Sequence, residues 1–213
     1  MDLEFITHHL VSGYIPVMGA LATYFVLLYV IGKKQTKGHI ILSFVFCFYL
    51  IGILAVTGIA IGGSFSPKIA YIPFVDMIRS PIFTILNILL FIPLGFFLPL
   101  LYKKYDRIGK IALVGLLVSL SVEIAQMFDF GTTDIDDLIT NTLGTCLGFG
   151  LYKLWHRAIP KSRIKQIQVD GAQSYYELLF FWIGSLIIML TVQIHIYQIL
   201  FANRILHCAF FTC

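Results

Sequence analysis

The sequence predicts an all-α fold, a polytopic transmembrane helical bundle of about six membrane-spanning helices. Three observations predict it. Hydrophobic residues make up 59% of the 213 positions and charged residues only 12%, with a mean hydropathy of +0.90, more apolar surface than a soluble domain of this length can bury. Six stretches approach the roughly 20 apolar residues needed to cross a hydrocarbon layer about 30 Å thick. The basic residues, finally, fall almost entirely into alternate connections between those stretches.

The six stretches are 14–31, 38–62, 80–102, 110–128, 138–155 and 175–201. Runs such as LIIML and ILLFIPLGFFLPLLY are apolar on every side, which excludes the alternating polarity of a barrel strand. The first ten residues, MDLEFITHHL, carry two acids and no basic segment, so the first helix is expected to be retained and not cleaved as a signal peptide. Cys47 and Cys146 lie inside predicted spans and read as small apolar residues. Cys208 and Cys213 lie in HCAFFTC, where a small disulfide loop and a reduced pair both stay open.

Of the 15 basic residues, twelve lie in the first, third and fifth connections: Lys33, Lys34, Lys37; Lys103, Lys104, Arg107, Lys110; and Lys153, Arg157, Lys161, Arg163, Lys165. Only Lys68, Arg79 and Arg204 fall on the other side. Cytoplasmic loops attract Lys and Arg, so both termini are expected outside, with the segment 156–174 as a cytoplasmic loop and 203–213 as an extracellular tail. The net charge of +4 is therefore a topological signal directed at lipid headgroups, and no nucleic-acid partner is expected. With no internal repeat and no loop long enough for a separate domain, residues 1–213 read as one membrane domain. The connection GSFSPKIAYIPFVDMIR at 63–79 suits either interfacial anchoring through Tyr71 and Phe74 or a segment dipping into the membrane.

Polar side chains within spans are costly and mark a protein interior or a site. In the fourth stretch Ser119, Glu123 and Gln126 share one helical face, and in DIDDLITNTLG the residues Asp134, Asp137 and Asn141 repeat that spacing. Asn87 in the third stretch lies at a similar depth, about 10 Å below the outer surface by the helical rise. Asn87, Gln126, Asp134, Asp137 and Asn141 are therefore expected to line one outward pocket, with Glu123 as its acid/base group if the protein is an enzyme. The alternative is a set of interhelical hydrogen bonds that only hold the bundle together. Asp136 points about 160° away from Asp134 on an ideal helix, so neither a metal ligand set nor a cofactor is assigned. Pro93 and Gly95 should kink or loosen the third helix beside Asn87, and the Gly144 and Gly148 pair should allow close helix approach. His195 reads as structural; His8 and His9, in an acidic segment, could bind metal, but an adjacent pair alone does not make a site, and none of the three is assigned to the pocket.

Four separated pieces, IPF at 72–74, NILLFIPLGF at 87–96, SVEIAQ at 121–126 and DIDDLITNTLGTCLGFGLY at 134–152, resemble the VanZ-like membrane proteins, over a core of about 71–152. The family often places an Arg just before the DxDD element, where this chain has Gly131, Thr132 and Thr133. The resemblance implies a bacterial plasma-membrane protein that lowers sensitivity to teicoplanin, a lipoglycopeptide. It supplies no catalytic cycle. Three functions follow as expectations: a resistance protein whose pocket binds a lipidic or cell-wall-related ligand, an intramembrane acid/base enzyme acting on a lipid-linked cell-wall precursor, or a small proton-coupled transporter. The partners expected are membrane lipids and either the antibiotic or that precursor.

Overall fold

A computed structural model describes residues 3–59, 69–70, 72–127 and 133–202. The tail bearing Cys208 and Cys213, most of the connection before residue 72, and Gly131 and Thr132 lie outside the described residues.

The chain is helical, as its composition predicts. The helices are α1 (Leu3–Val30), α2 (Lys37–Val56), α3 (Val75–Arg79), α4 (Pro81–Leu101), α5 (Ile108–Gln126), α6 (Ile135–Ala158), α7 (Lys161–Ile167), α8 (Gln173–Thr191) and α9 (Gln193–Tyr197). Two short strands, β1 (Ile69–Ala70) and β2 (Thr133–Asp134), pair in parallel. Five helices, α1, α2, α4, α5 and α8, are long and apolar enough to cross a membrane, and the chain is a multi-pass membrane protein.

The sixth predicted span, α6, has 24 residues, about 36 Å of helix, but is not apolar as a whole. Its aliphatic residues Leu143, Leu147, Leu151 and Leu154 are exposed, while Thr140, Asn141, Thr145 and Tyr152 are buried. The polar stripe therefore faces protein, and the leucine stripe covers the opposite side.

Helix α1 begins at Leu3 and not near residue 14, because its polar residues are satisfied along the helix itself. His9 Nδ1 donates to the Phe5 carbonyl at 2.9 Å and Ser12 Oγ to that of His8 at 2.8 Å, so none of these groups forces the chain out of the helix. The last predicted span is divided: α8 ends at Thr191, and α9 and a π-turn at Gln198–Ala202 follow.

Two compact units are formed. The first comprises Met1–Gln35, Phe44–Gly62 and Leu179–Cys213. Its core contains Val17, Leu21, Phe46, Leu50, Ile51, Leu54 and Met189, and the buried Gln193 amide donates to Ser12 Oγ at 2.9 Å.

The second unit comprises Thr36–Ser43 and Gly63–Leu178, and within it α6 packs chiefly on α4 and α5. The contact is backbone to backbone. A Cβ added at Gly95 would meet the Thr145 carbonyl, one at Gly144 the Ile88 carbonyl, and one at Gly148 the Ile92 carbonyl, each closer than real Cβ atoms approach. Gly144 and Gly148 thus do what their spacing predicts. Gly95 also admits α6, and α4 continues past Pro93 to Leu101.

At the opposite end of this unit from β1 and β2, a polar knot ties four segments. The His39 ring is 1% exposed and the Glu177 side chain 0%. His39 Nδ1 faces the Ile167 carbonyl at 2.8 Å and Nε2 faces Glu177 Oε1 at 2.5 Å. Both ring nitrogens thus lie within hydrogen-bond distance of an oxygen, and the ring is held from two sides. Tyr102 Oη donates to Glu177 Oε1 at 3.3 Å and Gln173 Nε2 to Oε2 at 3.4 Å. Nearby the chain crosses Leu101–Lys103 against Val169 by two backbone hydrogen bonds. The exposed Lys103 ammonium, 3.0 Å from Asp170 Oδ2, holds that carboxyl below its ordinary range, a screened surface contact of small energetic weight.

Candidate functional site

The DIDD segment turns from strand to helix at its first residue. Asp134 is extended (φ −123°, ψ 129°) and caps α6, its carboxylate accepting from the Asp136 amide at 2.9 Å. Asp136 and Asp137 follow in the first turn, where the helix dipole favours negative charge. The acids are thus positioned by the needs of a helix N-terminus, and each then reaches a different element.

Asp136 reaches back to the segment before α3. Its carboxylate, 3% exposed, accepts from the Phe74 amide at 2.7 Å and from the Met77 amide at 3.2 Å. Phe74 holds φ +70°, a left-handed backbone that a bulky residue adopts only at a cost. Two N–H groups that α3 leaves without helical partners are satisfied by this one carboxylate. The periodicity that sets Asp136 aside assumes Asp134 to be helical; because Asp134 is extended, the angle does not apply, and Asp136 joins the site. Replacement by alanine is expected to lower stability by about 3 kcal/mol, two charge-assisted hydrogen bonds being lost. Thermal unfolding in detergent reads this, and an unchanged midpoint would show that the 72–77 segment is held by other means.

Asp137 turns to α4, where Asn87 Nδ2 donates to its Oδ1 at 2.5 Å. Glu123, on α5 and 1% exposed, accepts the Asp134 amide on Oε2 at 3.0 Å, while its own carbonyl accepts from Thr133 Oγ1 at 3.1 Å. One turn deeper, Asn141 Nδ2 donates to Ser119 Oγ at 3.0 Å. Glu123 and Asn141 are thus both buried at the α5 and α6 contact. Gln126 lies on the last turn of α5, half-buried.

A cavity of about 260 Å³ opens beside these groups, lined by Met77, Ser80, Phe83, Thr84, Asn87, Asp134, Asp136, Asp137 and Thr140. Three of the six sequence-predicted residues, Asn87, Asp134 and Asp137, line it. Glu123, Gln126 and Asn141 are not among its lining residues; Glu123 is joined to it through the Asp134 amide. Ser80, Thr84 and Thr140 are additional lining residues whose hydroxyls give no sequence signal, since threonine is ordinary in helices. Among the described residues that line it there is no Lys or Arg; the polar groups are carboxylates, an amide and hydroxyls, with Met77 and Phe83 as apolar walls. Among the described residues no group of three or more His, Cys, Asp and Glu side chains is arranged to hold a metal ion.

A multi-pass helical membrane protein with an acidic cavity at one end of a glycine-packed helix group is the class that fold and site define. The chain belongs to the VanZ/LLP1 family, whose profile matches residues 40–156, more than half of its length. It is 33% identical over 111 residues to Protein VanZ of Enterococcus faecium, covering 52% of this chain and 62% of that protein. The chain therefore matches somewhat less than two thirds of the relative's length. No solved structure matches it. The family match begins before the 71–152 core, taking in most of α2, and it contains both segments that Asp136 joins.

Proposed function

We propose that this protein resides in a bacterial plasma membrane with both termini outside, and lowers sensitivity to teicoplanin-type lipoglycopeptides by holding a lipidic or cell-wall-related ligand in its acidic cavity. The observation that carries this reading is the cavity beside Asn87, Asp134 and Asp137, with Met77 and Phe83 as its apolar part and no Lys or Arg among the described residues that line it. A ligand with apolar parts and hydrogen-bond donors matches such walls. The orientation is supported by twelve of 15 basic residues lying in alternate connections, and with it the cavity opens on the outer side, where a lipoglycopeptide and the cell-wall precursors it meets are found.

The test uses bacteria sensitive to teicoplanin that express the intact chain, with Asp137→Asn and Glu123→Gln as variants matched for protein in the membrane. Asp137→Asn is expected to raise sensitivity about tenfold relative to the intact chain, the factor for one charge-assisted contact of about 1.4 kcal/mol. Glu123→Gln should have a smaller effect, because Glu123 acts on the cavity through the Asp134 backbone. Full protection by both variants at equal membrane levels sinks the cavity reading.

A further inference from the structure

The first unit contains a second cavity that the acidic site does not use. It measures about 180 Å³ and lies midway along its helices, between α1 at Val17, Ala20 and Leu21, α2 at Cys47, and α8 at Phe180 and Ser185. Among the described residues that line it none is charged. A position in the middle of apolar spans means that anything reaching it arrives through the hydrocarbon of the bilayer.

Ser185 is the unusual member. In spanning helices a serine or threonine ordinarily returns its hydroxyl to a carbonyl one turn back, as Ser12, Ser43, Thr140 and Thr145 do here. Ser185 is 2% exposed, and its Oγ has no hydrogen-bond partner among the described residues. A buried hydroxyl left unpaired in an apolar medium is costly, and here it lines an open volume. A methylene chain of a bilayer lipid filling that volume would leave it unpaired.

We propose that this cavity binds a neutral aromatic carbonyl compound dissolved in the bilayer, with the Ser185 hydroxyl donating to its carbonyl oxygen. Charge is excluded by the apolar lining. A carbonyl is favoured over a hydroxyl because it brings an acceptor without a further donor to be satisfied. A ring is favoured by size, since an apolar cavity of roughly 150 Å³ takes up benzene, and by the Phe180 ring at the wall, which stacks on Tyr24 at 4.9 Å and offers an aromatic edge. The floor is made by Gly184, where an added Cβ would meet nothing within 4 Å.

The probe is benzophenone, a diaryl ketone that inserts into nearby C–H bonds on illumination, applied to the full chain in lipid nanodiscs and mapped by peptide mass spectrometry. Labelling is expected to concentrate in 180–188, to be competed by acetophenone, and to be competed far less by ethylbenzene, which lacks the oxygen. Ser185→Ala should reduce that labelling about fivefold, the factor for one neutral hydrogen bond. Gly184→Leu should remove it by filling the floor, where an added Cβ meets nothing within 4 Å. Labelling spread evenly over all spans, or undiminished in Ser185→Ala, overturns the assignment.

Discussion

Replacing Gly148 by alanine is expected to push α6 off α4 and to reduce the yield of folded protein sharply. The added methyl carbon would fall on the Ile92 carbonyl oxygen, a backbone atom that no rotamer change can move. Gly95 and Gly144 meet the partner helix in the same way, so the two axes are held close along most of the shared length. Overpacking of a tight contact costs about 1–3 kcal/mol where side chains can yield, and a backbone contact gives at least the upper end of that range. The comparison is Gly150→Ala on the same helix, where a Cβ meets nothing within 4 Å and alanine should be neutral or slightly stabilising. Size-exclusion profiles of the two variants from equal membrane amounts provide the measurement. Gly148→Ala behaving like Gly150→Ala would rule out the close approach.

The second large effect is expected at the His39 and Glu177 pair. Glu177→Ala leaves a histidine ring without its acceptor at a position 1% exposed to solvent, and removal of one partner of a buried pair costs about 3–5 kcal/mol. Tyr102 and Gln173 lose a partner in the same step. The double replacement His39→Leu with Glu177→Leu should recover part of the loss, because an apolar pair carries no desolvation penalty. Denaturant titration in detergent separates the cases: a double variant as unstable as Glu177→Ala would mean that the knot acts by shape and not by charge.

How much of this was legible in the sequence depends on whether a residue's role is local. The spans, the glycine contact of α6 and the polar faces of α5 and α6 follow from helical spacing, but of Asn87, Glu123 and Asn141, set at one depth by the helical rise, only Asn87 lines the cavity, together with Asp134 and Asp137. Asp136 was misplaced because helical geometry was extended one residue too far, across a cap that is extended. The His39 and Glu177 pair was invisible for a different reason. The two residues are 138 positions apart, each sits alone at the start of an apolar stretch, and only tertiary structure brings them together. Ser185 gives no signal at all, since its distinction is a hydrogen bond that it does not make.

The reversed polarity of α6 bears on how the chain is made. A nascent segment carrying two acids in its first turn, an asparagine and several threonines has little tendency to leave water for lipid by itself. Its partition must be paid for by the surfaces waiting for it, the α4 backbone at Ile88, Ile92 and Gly95 and the Ser119 face of α5. Both precede it in the order of synthesis. Membrane entry of α6 and assembly of the acidic cavity are therefore one event, in which a helix is recruited into the bilayer by its earlier neighbours.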